Sequence, residues 1–328
     1  MADVARRAGV SVMTVSRVLN GYPGVAVATR RRVEKAMTAL DYRANTAARV
    51  LAGGRSRTLG VIAVESEQFG PSHTLFGIEA AARDAGHKVT FVTASPNGGD
   101  MSSTLEHLRT SDAEGVIVVA PVRQVVDAIT GVDPGVPLVV VGGDPEMDVA
   151  TVTIDQHEGA RLATEHLLEL GHTTVHHVRG PKDWIDADAR ARGWADALRS
   201  GKATRRRAIV GDWGARSGYA AGVRLARESS VTAVFAANDQ MALGVIRALH
   251  DEGRRVPADV SVVGFDDTPE SAYFLPALTT IRQNLGEVGR RSVQLIFSMI
   301  DDSVAERHVV VSAGLVERES TTSPASHH

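Results

Sequence analysis

The sequence predicts two kinds of structure in one chain: a small all-α head and a larger α/β body of two lobes. The chain has 328 residues, too many for one compact domain. Its charge is divided unevenly, because residues 1–57 hold 11 Lys and Arg but three acids, whereas the rest carries a net charge of −11. A basic module on an acidic body indicates that the head alone binds a polyanion.

Composition argues against several classes of protein. No apolar run approaches the roughly 20 residues that a membrane-spanning helix needs. The N-terminal sequence MADVARRAGV has no apolar core of a secretion signal. The chain has no cysteine, which excludes disulfides and thiol chemistry. We therefore expect a cytoplasmic protein that does not interact with a membrane.

The head, residues 1–44, is predicted to form a helix-turn-helix unit. Residues 3–8 form a first short helix, and Ser11 is a candidate N-cap for a second. A third helix is predicted over residues 29–40, with three arginines, residues 30–32, in its first turn. Because cations at a helix N-terminus oppose the helix dipole, contact with DNA phosphates would explain these arginines.

Residues 45–57 are predicted to form a hinge helix and a linker. The segment NTAARVLAGG has Asn45 as a cap and a pair of glycines as its stop. The helix between them is too short to be stable alone in water, so it must form against a partner. Folding on DNA would provide that partner.

From residue 58 onward, short β-branched runs alternate with amphipathic helical stretches. The runs are LGVIAV, KVTFVTAS, GVIVVAP, PLVVVGG, VFAAND and VSVVGFDD. Continuous apolar strands separated by helices predict parallel sheets that are covered on both faces. Residues 58–320 suffice for two such lobes, with a ligand cleft at the carboxyl ends of the strands. No GxxxxGK[ST] phosphate loop occurs, so nucleotide chemistry is not indicated.

The stretches DVARRAGVSVMTVSRVLNG and VATRRRVEKAMTALDYRANTAARVLAGGRSRTLGVI closely resemble the LacI/GalR family of bacterial repressors. The body resembles that family's periplasmic-binding-protein-like effector domain, on TVTIDQHEGARLATEHLLELGH, FAANDQMALGVIRAL and VSVVGFDD. The resemblance therefore covers the head, the hinge and residues 58–320, and the final residues, 321–328, are predicted to be a disordered tail. It implies three crossings between the lobes, near Ile154, Gln283 and Val311.

The resemblance assigns DNA contacts to the head and the hinge. Val12 and Met13 occupy the family's two specificity positions on a recognition helix, residues 12–19, where apolar side chains can contact thymine methyl groups. Arg17 would then read guanine by hydrogen bonds, and Leu51 would wedge into the minor groove at the operator centre. Alternatively, Val12 and Met13 pack inside the head. The other positions matched to DNA contacts are Thr14, Ser16, Asn20, Thr29, Asn45, Ala48 and Arg49.

The resemblance also places polar and aromatic residues around the cleft. Arg190, in RARGW, matches the family's ligand-gripping arginine, whose fork can hold two hydroxyls or a carboxylate. Trp213 matches a tryptophan that stacks on a sugar. As alternatives, Asp266 or Asn238 could cap a following helix, Arg190 could be a surface charge and Trp184 could pack on the lobe surface. The complete predicted set is Phe69, Asp155, Trp184, Asp186, Arg190, Trp213, Asn238, Asp266 and Gln283.

The aromatic residues indicate the kind of ligand. The chain has only three tryptophans, and two of them, Trp184 and Trp213, fall beside the predicted cleft. An indole face suits the C–H surface of a sugar ring. We therefore expect a hexose or a galactoside-like sugar rather than a purine, for which the family's relatives favour Phe and Tyr.

These features together predict a DNA-binding transcriptional regulator that a small sugar releases from a pseudopalindromic operator. The final VERESTTSPASHH carries no leucine heptad, so we expect a homodimer rather than a tetramer. Two alternatives stay open: a corepressor-dependent regulator of the same family, and a transport-type sugar-binding protein, which would leave residues 1–57 unexplained.

An enzyme is not predicted. The sequence shows no nucleophile–base pair, no ordered set of metal ligands and no sign of a cofactor. The adjacent carboxylates Asp266 and Asp267 should point in opposite directions at a strand end, which argues against a glycosidase pair.

Overall fold

The chain divides into two units, Met1–Ser56 and Arg57–His328. The described part of the first has helices as its regular structure and the second contains two β-sheets with helices, which confirms the predicted fold class. The computed structural model describes residues 1–19, 22–42, 55–64, 66, 68–95, 97–130, 132–143, 147–303 and 306–324.

The described part of the head contains three helices, α1 (Ala2–Ala8), α2 (Val12–Leu19) and α3 (Val27–Ala39). Gly9 ends α1 with a φ of 63°, a left-handed conformation that glycine adopts without strain. The predicted cap of α2 is confirmed, since the Ser11 hydroxyl accepts the amide of the third helical residue at 3.1 Å.

All three helices contribute side chains to one small apolar core. Its buried members are Val4, Ala5, Ala8, Val15, Val18, Val33 and Ala36. Because most of these side chains are small, the helices can pack closely, and a core of seven residues depends on each of them.

The third helix begins at Val27, two residues earlier than predicted. The arginines at 30–32 therefore lie beyond its first turn. Arg30 donates to the carbonyl of Tyr22 at 3.0 Å and to that of Val18 at 3.5 Å, near the end of α2. The phosphate contact expected for Arg30 is thus not needed to explain its position, because it joins two helices of the head.

The body alternates strands with helices. From Thr58 to Ile154 the elements are β1 (Thr58–Val64), α4 (Phe69–Asp84), β2 (Lys88–Ala94), α5 (Met101–Thr110), β3 (Gly115–Val119), α6 (Arg123–Ile129), β4 (Leu138–Val141) and β5 (Ala150–Ile154). From Gln156 to Val316 they are α7 (Gln156–Glu169), β6 (His176–Arg179), α8 (Ile185–Ser200), β7 (Ile209–Val210), α9 (Ala215–Ala226), β8 (Ala233–Ala236), α10 (Asp239–Asp251), β9 (Ser261–Asp266), a 3-10 turn (Pro269–Tyr273), β10 (Thr279–Gln283), α11 (Leu285–Ile300), β11 (His308–Val311) and β12 (Ala313–Val316).

Each lobe of the body is built on one six-stranded sheet. The strand orders are β11-β5-β4-β3-β1-β2 in the first lobe and β12-β10-β9-β8-β6-β7 in the second. The pairing is parallel, as predicted, except that β12 runs antiparallel to β10. The chain passes between the sheets after β5, after β10 and after β11.

Strand β3 shows why the apolar runs predict parallel sheets. All five of its residues are buried. Val116 and Val118 pack with the apolar side chains of α5 and α6, whereas Ile117 and Val119 pack with those of α4 and α11. Because helices cover both faces, neither face can be polar, and the alternation typical of a half-exposed strand is lost.

The end of the chain corrects one prediction. Residues 321–328 were expected to be a disordered tail, but Thr321 hydrogen-bonds to His166 Nε2 at 3.0 Å. The amide of Thr322 donates to Ser261 Oγ at 3.0 Å, and Ser320 is fully buried. These contacts fix the segment against the second lobe. Residues 325–328 lie outside the described part.

No helix in the described part of the chain is both long and apolar enough to cross a bilayer.

Candidate functional site

The second helix of the head exposes the residues predicted to read DNA. Val12 is 47% exposed and Met13 is 67% exposed, so the alternative that they pack inside the head is wrong. Arg17 is also exposed, and its guanidinium lies over the ring of Tyr22, 5.6 Å from the centroid. Because Val15 on the same helix is buried, α2 has one face for packing and one for solvent.

The other predicted head residues fall into two groups. Thr14, Ser16 and Thr29 are half-buried, and the Thr14 hydroxyl hydrogen-bonds to Ser11 Oγ at 2.9 Å. Tyr22, which is not among the predicted residues, is 56% exposed and lies beside Arg17. Asn20, Asn45, Ala48, Arg49 and Leu51 lie outside the described residues.

A cleft in the body lies at the carboxyl ends of strands from both sheets. It contains about 640 Å³ of space free of protein atoms, part of it open to solvent. On the first-lobe side it is lined by the last residues of β3, β4 and β5, and on the second-lobe side by those of β9 and β10. Eight predicted residues line it: Phe69, Trp184, Asp186, Arg190, Trp213, Asn238, Asp266 and Gln283.

The ninth predicted residue, Asp155, does not line the cleft. Its Oδ1 accepts the amide of Glu158 at 2.8 Å and thereby caps α7. The next residue, Gln156, lines the cleft instead and is 7% exposed. The prediction missed Gln156, although it directly follows a strand and a helix cap.

Four buried side chains form a closed polar ring at the second-lobe wall of the cleft. Arg190 Nε donates to Gln156 Oε1 at 2.8 Å, and Gln156 Nε2 donates to Gln283 Oε1 at 2.9 Å. Gln283 Nε2 then donates to Asp266 Oδ1 at 2.6 Å, and Asp266 Oδ1 lies 3.5 Å from Arg190 Nη1. The ring joins Arg190 and Asp266 to Gln156 and Gln283, and these two glutamines flank two of the three lobe crossings.

Arg190 is not a surface charge, since only 4% of it is exposed. Its Nη1 donates to the carbonyl of Ala237, and its guanidinium lies 3.7 Å from the centroid of the Phe265 ring. Burial lowers the pKa of Arg190, although Asp266 beside it opposes the shift. The guanidinium is thus held in a fixed orientation by its neighbours, which a bidentate contact with a ligand requires.

Asp266 is buried at the end of β9, and burial raises the pKa of its carboxyl to about 7 against the opposing effect of Arg190. Its φ of 114° is a conformation that side-chain-bearing residues rarely adopt. Trp213 also has a positive φ, 73°. Two residues with strained backbone conformations line the same cleft. The surrounding packing must stabilise these conformations, and such strain is typical of functional sites.

Two tryptophans meet at one side of the cleft. The rings of Trp184 and Trp213 are 5.4 Å apart and nearly perpendicular. Trp213 packs on Gly180, where an added Cβ would lie 2.3 Å from indole atoms. Asn238 Nδ2 donates to the Trp213 carbonyl at 3.0 Å, while its Oδ1 caps α10 by accepting the Met241 amide at 2.9 Å. Asn238 therefore both caps a helix and lines the cleft.

Two polar groups of the cleft are without partners among the described residues. The indole Nε1 of Trp213 is buried and donates no hydrogen bond. Asp186 accepts no hydrogen bond and makes no ion pair, and burial raises its pKa while Arg190 lowers it. A buried donor without a partner and a carboxylate that lines the same cleft suit a ligand that carries hydroxyl groups, since a hydroxyl can accept from one and donate to the other. No group of three His, Cys, Asp or Glu suited to a metal occurs within the described ranges.

A helix-turn-helix head with an exposed reading face, joined to a two-lobed domain with a polar and aromatic cleft, defines a ligand-responsive DNA-binding regulator. Family models agree: residues 1–45 match that of bacterial regulatory proteins, lacI family, and residues 164–321 match a periplasmic binding protein-like domain. The chain belongs to the lacI family of bacterial transcriptional regulators.

Individual relatives match nearly the whole chain. The lactose operon repressor of Escherichia coli K12 is 34% identical over 98% of this chain and 90% of its own length. The crystal structure of the lac repressor dimer bound to operator and the anti-inducer ONPF is 33% identical, with a TM-score of 0.88, and 98% of each chain is covered. A complex of the transcriptional regulator CelR with cellobiose is 32% identical, with a TM-score of 0.73, over 97% of this chain and 98% of that one.

Proposed function

We propose that this regulator is a repressor which binds its operator as a homodimer and leaves it when a small sugar occupies the cleft. The observation that carries the proposal is the juxtaposition of the Trp213 indole with the buried pair of Arg190 and Asp266. An aromatic face beside a charged, hydrogen-bonding pair is the combination that holds a sugar ring by its C–H surface and its hydroxyls.

The relatives support a sugar as the class of ligand. One is bound to cellobiose and others to ONPF or ONPG in their solved structures. Both unpartnered groups in the present cleft, the Trp213 N–H and the Asp186 carboxylate, would be satisfied by hydroxyls. We infer that the ligand is bound and released unchanged.

The exposed face of α2 supports operator reading by Val12, Met13 and Arg17. The two apolar side chains would contact thymine methyl groups, and Arg17 would take guanine O6 and N7. The roles assigned to Thr14, Ser16 and Thr29 in the head, and to residues 45–57 as a hinge that folds on DNA, are part of this proposal. A protein that regulates bacterial transcription in this way acts in the cytoplasm, where the operator is.

Exposed apolar side chains on the body support a homodimer. Tyr273 is 85% exposed and Leu275 is 91% exposed, and both lie in or just after the 3-10 turn of the second lobe. In the first lobe, Phe76 and Phe91 are 70% and 47% exposed and line one shallow groove. A second copy would cover these side chains and place two heads on the two halves of a pseudopalindrome.

The polar ring provides a route from ligand to DNA. A sugar that bonds to Arg190 and Asp266 competes with the bonds that these residues make to Gln156 and Gln283. Because the two glutamines flank lobe crossings, a change in the ring shifts the angle between the lobes. In this proposal the shift separates the hinges of the dimer and favours the DNA-free state.

The test is a selection followed by a release assay. The full-length protein is used to enrich binding sites from a random duplex pool, and the best duplex is then titrated with mono- and disaccharides, galactosides and cellobiose included. A repressor loses the duplex as one sugar is added. In a corepressor-dependent regulator the ligand would strengthen binding, and a transport-type protein would enrich no sequence.

Two matched variants separate the two sites. Arg17→Met should weaken operator binding and leave sugar binding unchanged. Arg190→Met should keep operator binding and lose the response to sugar. If Arg190→Met instead loses operator binding, Arg190 has a structural role and the cleft assignment fails.

A further inference from the structure

The charges around the cleft are unbalanced. Among the described residues that line it, three side chains can ionise: Asp186, Arg190 and Asp266. Two of these are carboxylates and one is a guanidinium, and neither lysine nor histidine occurs in this set. Burial raises the pKa of Asp266 to about 7, so the lining carries its full excess of one negative charge above that pH, where all three groups are ionised.

The single cation already has a counter-ion. Arg190 Nη1 lies 3.5 Å from Asp266 Oδ1, and the guanidinium also donates to Gln156 and to the carbonyl of Ala237. Asp266 in turn accepts from Gln283. Asp186 is the second carboxylate: among the described residues it makes no hydrogen bond and no ion pair within 4 Å, and the charge of Arg190 acts on it from a longer distance.

The position of Asp186 in its helix does not explain why its carboxylate lacks a close partner. Asp186 and Asp188 both lie in the first turn of α8, where a helix dipole favours an acid. Asp188 pairs with Arg179 at 2.6 Å and with Arg123 at 3.5 Å, outside the set of residues that line the cleft. Asp186 lines the cleft and interacts with the charge of Arg190 only over a longer distance, so the same helix turn carries one closely paired acid and one that a ligand can contact.

We propose that Asp186 makes the cleft selective for sugars that are neutral or carry an amine, and selective against sugars that carry a phosphate or a carboxylate. This inference rests on the proposed function. A ligand hydroxyl or ammonium group donates to the Asp186 carboxylate, and the amine gains most because both partners are charged. A ligand anion is repelled by the same carboxylate, and the repulsion is stronger inside a partly enclosed cleft than in bulk water.

The test compares sugars that differ in charge and little else. Methyl β-galactoside and cellobiose are each compared with their 2-amino, uronate and 6-phosphate counterparts by titration calorimetry on the full-length protein. For the parent that binds, the amine should bind at least as tightly, and both anionic forms should bind about tenfold more weakly or worse.

Two variants assign the effect to one residue. Asp186→Asn keeps the size and an acceptor oxygen but removes the charge, so the preference for neutral over anionic sugar should shrink by about tenfold. Asp188→Asn removes a charge from the same helix turn outside the cleft and should leave the preference unchanged.

The outcomes separate this inference from the proposed function. An anionic sugar that binds as tightly as its neutral parent, or an equal effect of the two variants, overturns the inference alone. If no sugar binds here and none releases the operator in the wider screen of mono- and disaccharides, the proposed function fails and this inference fails with it.

Discussion

The buried carboxyl of Asp266 should make the stability of the protein depend on pH, and Asp266→Asn should remove that dependence. Burial raises the pKa of Asp266 to about 7, against an ordinary value near 4. The carboxyl is therefore protonated in the folded protein over a range of pH in which it is already ionised in the unfolded chain. An asparagine occupies the same space, keeps an oxygen for Gln283 and cannot ionise.

The sign and the size of the effect follow from proton linkage. Below about pH 4 the carboxyl is protonated in both states, and the folded protein keeps the full contribution of this group. As the pH rises from about 4 to about 7, only the unfolded chain loses the proton, so the free energy of unfolding falls. At about 1.4 kcal/mol per pH unit, the loss by pH 7 is of the order of 4 kcal/mol.

Urea unfolding followed by tryptophan fluorescence, at several pH values from 4.5 to 8, measures this directly. The free energy of unfolding of Asp266→Asn relative to wild type should rise by a few kcal/mol across that range, since the titrations of groups that do not interact with Asp266 cancel in the difference. Val263→Ala serves as the control, because it truncates a fully buried apolar side chain on the same strand. Its difference from wild type should not vary with pH.

A difference between Asp266→Asn and wild type that stays constant with pH would refute the reasoning. The carboxyl would then be ionised in the folded protein throughout, stabilised by Arg190 more than it is destabilised by burial. A difference that falls with rising pH would reverse the assigned direction of the pKa shift.

Three further substitutions test other parts of the account. Gly180→Ala places a Cβ 2.3 Å from the Trp213 ring, so the indole must move and sugar affinity should fall about tenfold or more by calorimetry, with operator affinity retained. Arg17→Met should relax sequence preference at one base pair of each half-site, worth about 1–3 kcal/mol in competition binding. Val15→Ala truncates a fully buried side chain in the seven-residue core of the head and should lower the stability of the head by about 2 kcal/mol. Operator binding should therefore weaken on warming, whereas sugar binding should not change.

The α/β body could be predicted from the sequence because its strands are apolar on both faces. Runs such as GVIVVAP have this property only when helices cover both sides of the sheet, as Ile117 and Val118 show. The boundaries of the head were harder to predict. Helix α3 begins after Ala26, which offers no side chain to cap it, and the sequence signal therefore pointed to Thr29 instead.

Most of the residues that line the cleft could be predicted from the sequence, but the hydrogen bonds between them could not. Asp155 and Gln156 both follow strand β5, and the turn of the chain into α7 sets the direction of each side chain. That turn directs Asp155 to a cap and Gln156 to Arg190, and local pattern cannot distinguish the two outcomes. The bond between Gln156 and Gln283 joins residues 127 apart in sequence. It exists because two lobe crossings lie side by side, which is a property of the tertiary fold.

The backbone strain at Trp213 and Asp266 could not be predicted from the sequence either. Positive φ values are adopted readily by glycine, and neither residue type signals them. They are imposed by packing around the cleft, such as the contact of Trp213 with Gly180 and the bond from Asn238.

The central claim is that sugar binding in the cleft and operator binding by the head are thermodynamically coupled. It is tested most directly by measuring the affinity for sugar and the affinity for operator on one preparation. The dissociation constant of a selected operator duplex is measured with and without saturating sugar, and that of the sugar with and without the duplex. We expect sugar to weaken operator binding and operator to weaken sugar binding by the same factor, and this coupling should disappear in Arg190→Met. Two affinities that do not change in the wild-type protein would contradict the account, because the cleft and the head would then be independent.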